Sequence, residues 1–179
     1  MKKLLVLLFC VGVLFYGVAA SAVVLDFEDL SGKANLPTNY HGLTWDSHWQ
    51  YYDYPQSPYN PSSGFVRIYT WNYGGWINFG TDVIFQGSWV ASYDVGQTMY
   101  WEGYHQGTKI FESAHLSGGA QAYLNVNWPG VDYVNFVCTA YDYFIIDDVK
   151  YNVIPLPGAI WLLGTGLLGL GATSWRKKL

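Results

Sequence analysis

Asp82-Val83-Ile84-Phe85-Gln86-Gly87-Ser88-Trp89-Val90-Ala91-Ser92-Tyr93 is the stretch on which the fold class turns. Its odd positions Val83, Phe85, Trp89, Ala91 and Tyr93 form one apolar face, while Asp82, Gln86, Ser88 and Ser92 occupy the other. A period of two with one apolar side is the pattern of a strand that packs on one face and meets water on the other. Comparable short runs, bounded by Gly, Pro, Asn and Ser, recur at 23–28, 42–49, 65–71, 76–79, 98–104, 107–112, 121–127, 132–138 and 142–151. No segment keeps a 3.6-residue period, and no internal repeat suggests a propeller or solenoid. The pattern predicts an all-β domain over 23–152, an antiparallel β-sandwich of jelly-roll type.

Outside that domain the composition changes abruptly. Of the 179 residues 51% are apolar and only 12% charged, which excludes a disordered chain. All 13 acidic residues fall within 23–152, beside only Lys33, Arg67, Lys109 and Lys150, so the middle carries −9. Such a surface repels nucleic acid, which needs a basic partner. The two ends are basic and apolar instead.

At the N-terminus Lys2 and Lys3 precede an apolar run from Leu4 to Val18, then Ala20-Ser21-Ala22. A positive start, a short apolar stretch and an A-x-A site specify a signal peptide over 1–22, cleaved after Ala22. Its removal leaves Cys138 as the only cysteine, so no internal disulfide forms in the exported domain. Cys138 alternates in register with Val134 and Phe136 and reads as a small core residue.

At the C-terminus, 153–179, Pro155-Leu156-Pro157 leads into an apolar segment, 159–175, and then Arg176-Lys177-Lys178. Seventeen helical residues cover roughly 25 Å, enough for a thin membrane span whose terminal cations stay on the cytoplasmic side. A proline tripeptide, one membrane helix and a terminal basic cluster, in that order, resemble the PEP-CTERM sorting signal of bacterial exported proteins, in its Val-Pro-Leu-Pro-Ala variant. The resemblance covers about the last 26 residues. It implies an exosortase-type processing enzyme as partner, a transient inner-membrane anchor, and a final place on the surface or in the extracellular matrix of a Gram-negative bacterium that makes exopolysaccharide.

Aromatics dominate the middle: seven Trp, fifteen Tyr and seven Phe. A buried Tyr needs a partner for its hydroxyl, so fifteen of them in one small domain predict several at the surface. The densest group is Trp49-Gln50-Tyr51-Tyr52-Asp53-Tyr54, followed by Tyr59, and Pro55, Pro58 and Pro61 argue against a regular central strand there. Such a loop can stack on a pyranose ring while Gln50, Asp53 and Asn60 bind hydroxyls; it can equally fold back and cap the sandwich. In 65–71, Val66 and Ile68 share one face and Arg67, Tyr69 and Trp71 the other, which makes a second flat sugar platform unless the Phe65–Tyr69–Trp71 side is the core.

Carboxylates gather on the first and last strands, Asp26 and Glu28 on one and Asp147 and Asp148 on the other. Asp147 shares parity with Ile145 and Val149, and a buried carboxylate requires a partner or an ion. The opening Asp26-Phe27-Glu28 and closing Ile146-Asp147-Asp148-Val149 resemble the ends of jelly-roll carbohydrate-binding modules. That resemblance implies a structural Ca²⁺ held by Asp26, Glu28, Asp147 and Asp148; backbone N–H groups or Lys33 and Lys150 are the competing partners.

Catalytic signatures are missing from the sequence: it has no G-x-S-x-G, P-loop, dinucleotide fingerprint or H-E-x-x-H. His41, His48, His105 and His115 are scattered without metal spacing, and Glu102 and Glu112, the candidates for a glycosidase pair, sit in polar strand contexts with nothing to raise a pKa. The expectation is a non-enzymatic protein that binds exopolysaccharide through surface aromatics, or alternatively a structural coat or biofilm-matrix protein with no small ligand.

Overall fold

The computed structural model describes residues 22–154 apart from 55, 58, 59, 71, 93–95, 120 and 140–143. Among these residues there is no helix. The strands are β1 (Ala22–Leu25), β2 (Lys33–Asn35), β3 (Asn39–Tyr40), β4 (Leu43–Trp45), β5 (Trp49–Tyr52), β6 (Arg67–Thr70), β7 (Gly74–Ser92), β8 (Thr98–His105), β9 (Thr108–Glu112), β10 (Leu116–Ser117), β11 (Ala122–Cys138) and β12 (Phe144–Val153). All pair antiparallel. One hydrogen-bonded path runs β10-β8-β11-β7-β12-β6-β5-β2, with β1 added to β12, β9 to β8, and the β3–β4 hairpin to β7.

The expected runs 76–79 and 82–93 fuse into β7, and 121–127 and 132–138 fuse into β11. Both long strands bend where their register shifts. Asn78 pairs Tyr133 and Val83 pairs Val131, so Phe79, Gly80, Thr81 and Asp82 stand opposite Asp132 alone. A bulge of this kind kinks a strand and increases its twist. The bends let one sheet curl into a sandwich-like body around a single core. An aromatic chain crosses it: Trp49 of β5 meets Phe144 of β12 edge-on at 6.2 Å, Phe144 meets Phe136 of β11 at 4.9 Å, Phe136 meets Trp101 of β8 at 5.0 Å, and Trp101 meets Phe85 of β7 at 5.0 Å. Cys138 is buried in this core, as its parity predicts.

The alternation in 82–93 holds only as far as Phe85. Val83 and Phe85 are buried, but beyond Gly87 the buried side passes to Ser88, Val90 and Ser92, while Trp89 is only half-buried and Ala91 is covered as well. Gly87 has φ 110°, and a Cβ there would lie 1.8 Å from the Leu124 carbonyl oxygen. A residue outside the extended region breaks the pleat, so side chains after it no longer keep the earlier parity. Ser88 is accommodated in the core because its hydroxyl accepts the Trp101 indole N–H at 3.1 Å.

The prolines after Tyr54 did not prevent a strand before it. β5 pairs β6 on one side and the short β2 on the other. β2, β3 and β10 carry no sequence signal of their own, being two or three residues long and made by pairing to a neighbour.

Candidate functional site

In β5 and β6, strand pairing decides which aromatics face out. Tyr51 pairs Ile68 and Trp49 pairs Thr70 on the inner face; Gln50 pairs Tyr69 and Tyr52 pairs Arg67 on the outer face. Trp49 is fully buried, its indole N–H donating to the Trp76 carbonyl at 3.1 Å, so this member of the expected sugar site belongs to the core instead. Arg67 is on the outer side, yet only 2% exposed. The 52–56 segment closes over it: the guanidinium donates to the carbonyls of Tyr52 and Tyr54 and to Gln56 Oε1, and lies 4.8 Å from the Tyr52 ring centre. Burial lowers the Arg67 pKa. Arg67 therefore braces the aromatic segment from beneath and is withdrawn from any ligand.

Tyr52 and Tyr69 remain half-buried beside it, Tyr51 is half-buried against the core, and Tyr54 stands 63% exposed. The Tyr69 hydroxyl donates to Gln50 Oε1 at 2.8 Å, and Asp53 accepts the Gly32 N–H. Val66 and Ile68 are the core face of the strand, as one of the two parities required, and Phe65 is exposed. Tyr59 and Trp71 lie outside the described residues, as do Ala20, Pro155, Leu156, Pro157, Arg176, Lys177 and Lys178. Ala22 is the first residue of β1. Among the described residues no helix is long and apolar enough to cross a membrane.

Of the four carboxylates expected to hold calcium, Asp147, Asp148 and Glu28 converge on one segment, 62–66, and grip it, while Asp26 bonds to Glu28. Asp147, fully buried, accepts the Ser62 and Ser63 N–H groups at 2.8 and 3.1 Å and the Ser62 hydroxyl at 3.0 Å, and its other oxygen accepts the Asp148 N–H at 2.7 Å. Asp148 accepts both serine hydroxyls, at 2.7 and 3.0 Å. Glu28 Oε1 accepts the Phe65 and Val66 N–H groups at 2.9 and 2.8 Å, while Asp26 accepts the Glu28 N–H. Backbone and serine donors are thus partners of three of these carboxylates, as one of the two expectations had it. Burial pushes the Asp147 carboxyl up to about 6, ahead of the hydrogen bonds from Ser63, Asp148 and Ser62 that act the other way.

The surface that sequence reasoning missed is the outer face of β7, β11 and β8. Register places its side chains in rows: Asn78, Tyr133 and Tyr104 in one, Trp76, Asn135 and Glu102 in the next, Gly74, Val137 and Tyr100 in a third. Trp76 stacks on Tyr133 at 5.7 Å and 24°, and Tyr104 meets Tyr133 edge-on at 5.3 Å. All of these rings are half-buried. Between them Glu102 accepts from Asn135 Nδ2 at 3.1 Å, the Tyr104 hydroxyl at 2.8 Å and Lys109 at 3.1 Å. Where β7 begins, the face opens into a cavity of about 280 Å³ lined by Asp46, Asn72, Tyr73, Gly74, Gly75, Asn135, Phe136 and Val137.

Hydrogen bonding sets the electrostatics of this face. Burial would raise Glu102, but its hydrogen bonds from Asn135, Tyr104 and Lys109 outweigh that and hold it below the usual carboxylate range. Glu112, opposite Glu102 in the β8–β9 register, is lowered by Lys109 and His115. Lys109 lies 3.1 and 2.8 Å from the two carboxylates. A glycosidase acid needs the opposite shift. His41 and His48 each sit on a single carboxylate, Asp29 and Asp46. The one group of three potential metal ligands among the described residues is Asp82, His105 and Asp132. No protein-family model, curated protein or solved structure matches the chain.

Proposed function

We propose that this is an exported, exosortase-processed surface or matrix protein whose β-domain binds exopolysaccharide on the outer face of β7, β11 and β8. The observation that supports this reading is the aromatic platform of Trp76, Tyr133 and Tyr104, with Glu102 and Asn135 set between the rings and a cavity of mixed polar and apolar lining at its edge. Sugar rings present apolar C–H faces and a rim of hydroxyls, so stacking aromatics beside carboxylate and amide groups match both at once. The sorting-signal resemblance supplies the context, a cell that makes exopolysaccharide. Tyr52, Tyr54 and Tyr69 on β5, its following segment and β6 offer a smaller second platform. Assembly of a coat through sheet edges is the less favoured alternative, because the edge strands β1, β2, β9 and β10 are two to five residues long and two of them carry charges, Lys33 on β2 and Lys109 and Glu112 on β9.

The test is a titration of the purified chain with the producer's own polysaccharide, followed by tryptophan fluorescence. Saturable binding should weaken about tenfold in Trp76→Ala and Tyr133→Ala, the scale of one lost stacking contact. Loss confined to Tyr52→Ala and Tyr54→Ala would move the site to the β5–β6 surface. Absence of any saturable response would sink the glycan reading and leave the coat protein in front.

A further inference from the structure

Three neighbouring strands bring Asp82, His105 and Asp132 together from positions far apart in the sequence. β11 lies between β7 and β8. Asp132 sits in β11 at the bulge between the Val131–Val83 and Tyr133–Asn78 pairs, which brings Asp82 alongside it. On the other side Tyr133 pairs Tyr104, and His105 follows at the end of β8. There Gln106 and Gly107, at φ 49° and 78°, close the β8–β9 hairpin in the left-handed conformation of a two-residue turn. One ligand atom from each of the three side chains lies within 4.8 Å of the other two.

His105 Nδ1 is shut off from solvent and has no hydrogen-bond partner; Asp82 Oδ1 is 3.3 Å away without the alignment of a hydrogen bond. Asp132 Oδ2 accepts the Gln106 N–H at 2.9 Å, which orients that carboxylate and leaves its other oxygen for a ligand. Among the described residues no lysine or arginine forms an ion pair with either carboxylate. Two neighbouring carboxylates and a closed-off imidazole nitrogen are a donor set in need of a cation.

We propose that Asp82, His105 and Asp132 bind a divalent transition metal of the zinc type, joining β7, β11 and β8 at the bulge. Calcium and magnesium seek all-oxygen shells, whereas an imidazole nitrogen with two carboxylates suits zinc and its neighbours. Two carboxylates neutralise the 2+ charge, and three protein ligands leave one position of a tetrahedron to water. The −9 domain raises the local concentration of cations. The site adjoins the proposed glycan platform, His105 and Asp132 being the chain neighbours of Tyr104 and Tyr133, but its ligands are other residues and it does not depend on that reading.

The experiment takes the untagged full-length chain in detergent micelles, stripped with EDTA, and titrates it with Zn²⁺, Co²⁺ and Ca²⁺ by calorimetry and thermal melting. Expected are one Zn²⁺ per chain, a visible absorption band with Co²⁺, and a melting rise of about 5–10 °C at a hundredfold excess over Kd, reversed by EDTA. His105→Gln and Asp132→Asn should each weaken Zn²⁺ binding more than about tenfold. His48→Gln, which removes a histidine–carboxylate pair elsewhere, should leave it unchanged. Far-UV circular dichroism checks that the variants fold; both side chains are partly exposed, His105 at the end of β8 and Asp132 at the bulge of β11. The proposal is overturned by failure to bind Zn²⁺ stoichiometrically, or by binding that survives both substitutions. A melting rise produced by Ca²⁺ alone and abolished by Asp147→Asn would also overturn it, placing the ion on the first and last strands.

Discussion

Asp147 is the residue whose sequence context and surroundings pull hardest against each other. It is a carboxylate on the apolar parity of the last strand, with no exposure, next to the like charge of Asp148. With its folded pKa pushed up to about 6, the native state holds a proton that the unfolded chain, near 3.9, has already released. Between those values the native state binds more protons, so this group's stabilisation is complete below about pH 4 and is lost as pH rises through about 6. The amount is at most roughly 3 kcal/mol. Asp147→Asn removes the titration, so the melting temperature of the variant relative to the parent should climb from pH 4 to pH 7. A difference that stays flat across that range would mean the serine and backbone donors fully compensate burial. Parity in the sequence located the buried carboxylate; it carried no trace of Ser62 and Ser63, which lie more than eighty residues earlier.

At the scale of elements, β7 carries the argument. Its amphipathic pattern identified a strand, and Gly87 decided where that pattern stops holding. Any side chain at Gly87 meets the Leu124 carbonyl and must adopt φ 110°, a conformation open almost only to glycine. Gly87→Ala should therefore cost about 3 kcal/mol or more, read as a lowered urea midpoint at unchanged m-value. A loss under 1 kcal/mol would mean that β11 shifts freely and that the bulge is soft. Trp49 teaches the companion lesson in β5. Its place among tyrosines and prolines suggested a surface loop, but pairing with Thr70 turns it inward, where it touches Trp45 and Phe144. Local composition cannot reveal this, because the face a residue takes depends on the register with a strand twenty residues away.

For the molecule as a whole, β7 and β11 run through both parts of the curled sheet. Neither part can lose its strands without stripping the other of partners, so the domain should unfold as a single unit. Calorimetry should give one transition with van't Hoff and calorimetric enthalpies in agreement. Two resolved transitions would show that the bends at Asp82 and Gly87 act as boundaries between independent parts. The same curling creates the outer face on which Trp76, Tyr133 and Tyr104 meet, and it collects Asp82, His105 and Asp132 from three strands.

What the sequence determined alone is what short-range chemistry can encode. Alternation and turn residues specified an all-β domain; apolar parity put Cys138 in the core and set Val66 and Ile68 on one shared face without deciding which way it turned; the charge count made the domain strongly acidic. The surface and the clusters were decided by tertiary structure. Trp49 and Arg67 went inside, Glu28, Asp147 and Asp148 were brought onto segment 62–66, and the histidine that gained two carboxylate neighbours was one whose sequence spacing offered no metal motif. The reason is register: a strand's own sequence states that it has two faces, and only its hydrogen-bonded neighbours and bulges decide which face is covered and which residues stand side by side.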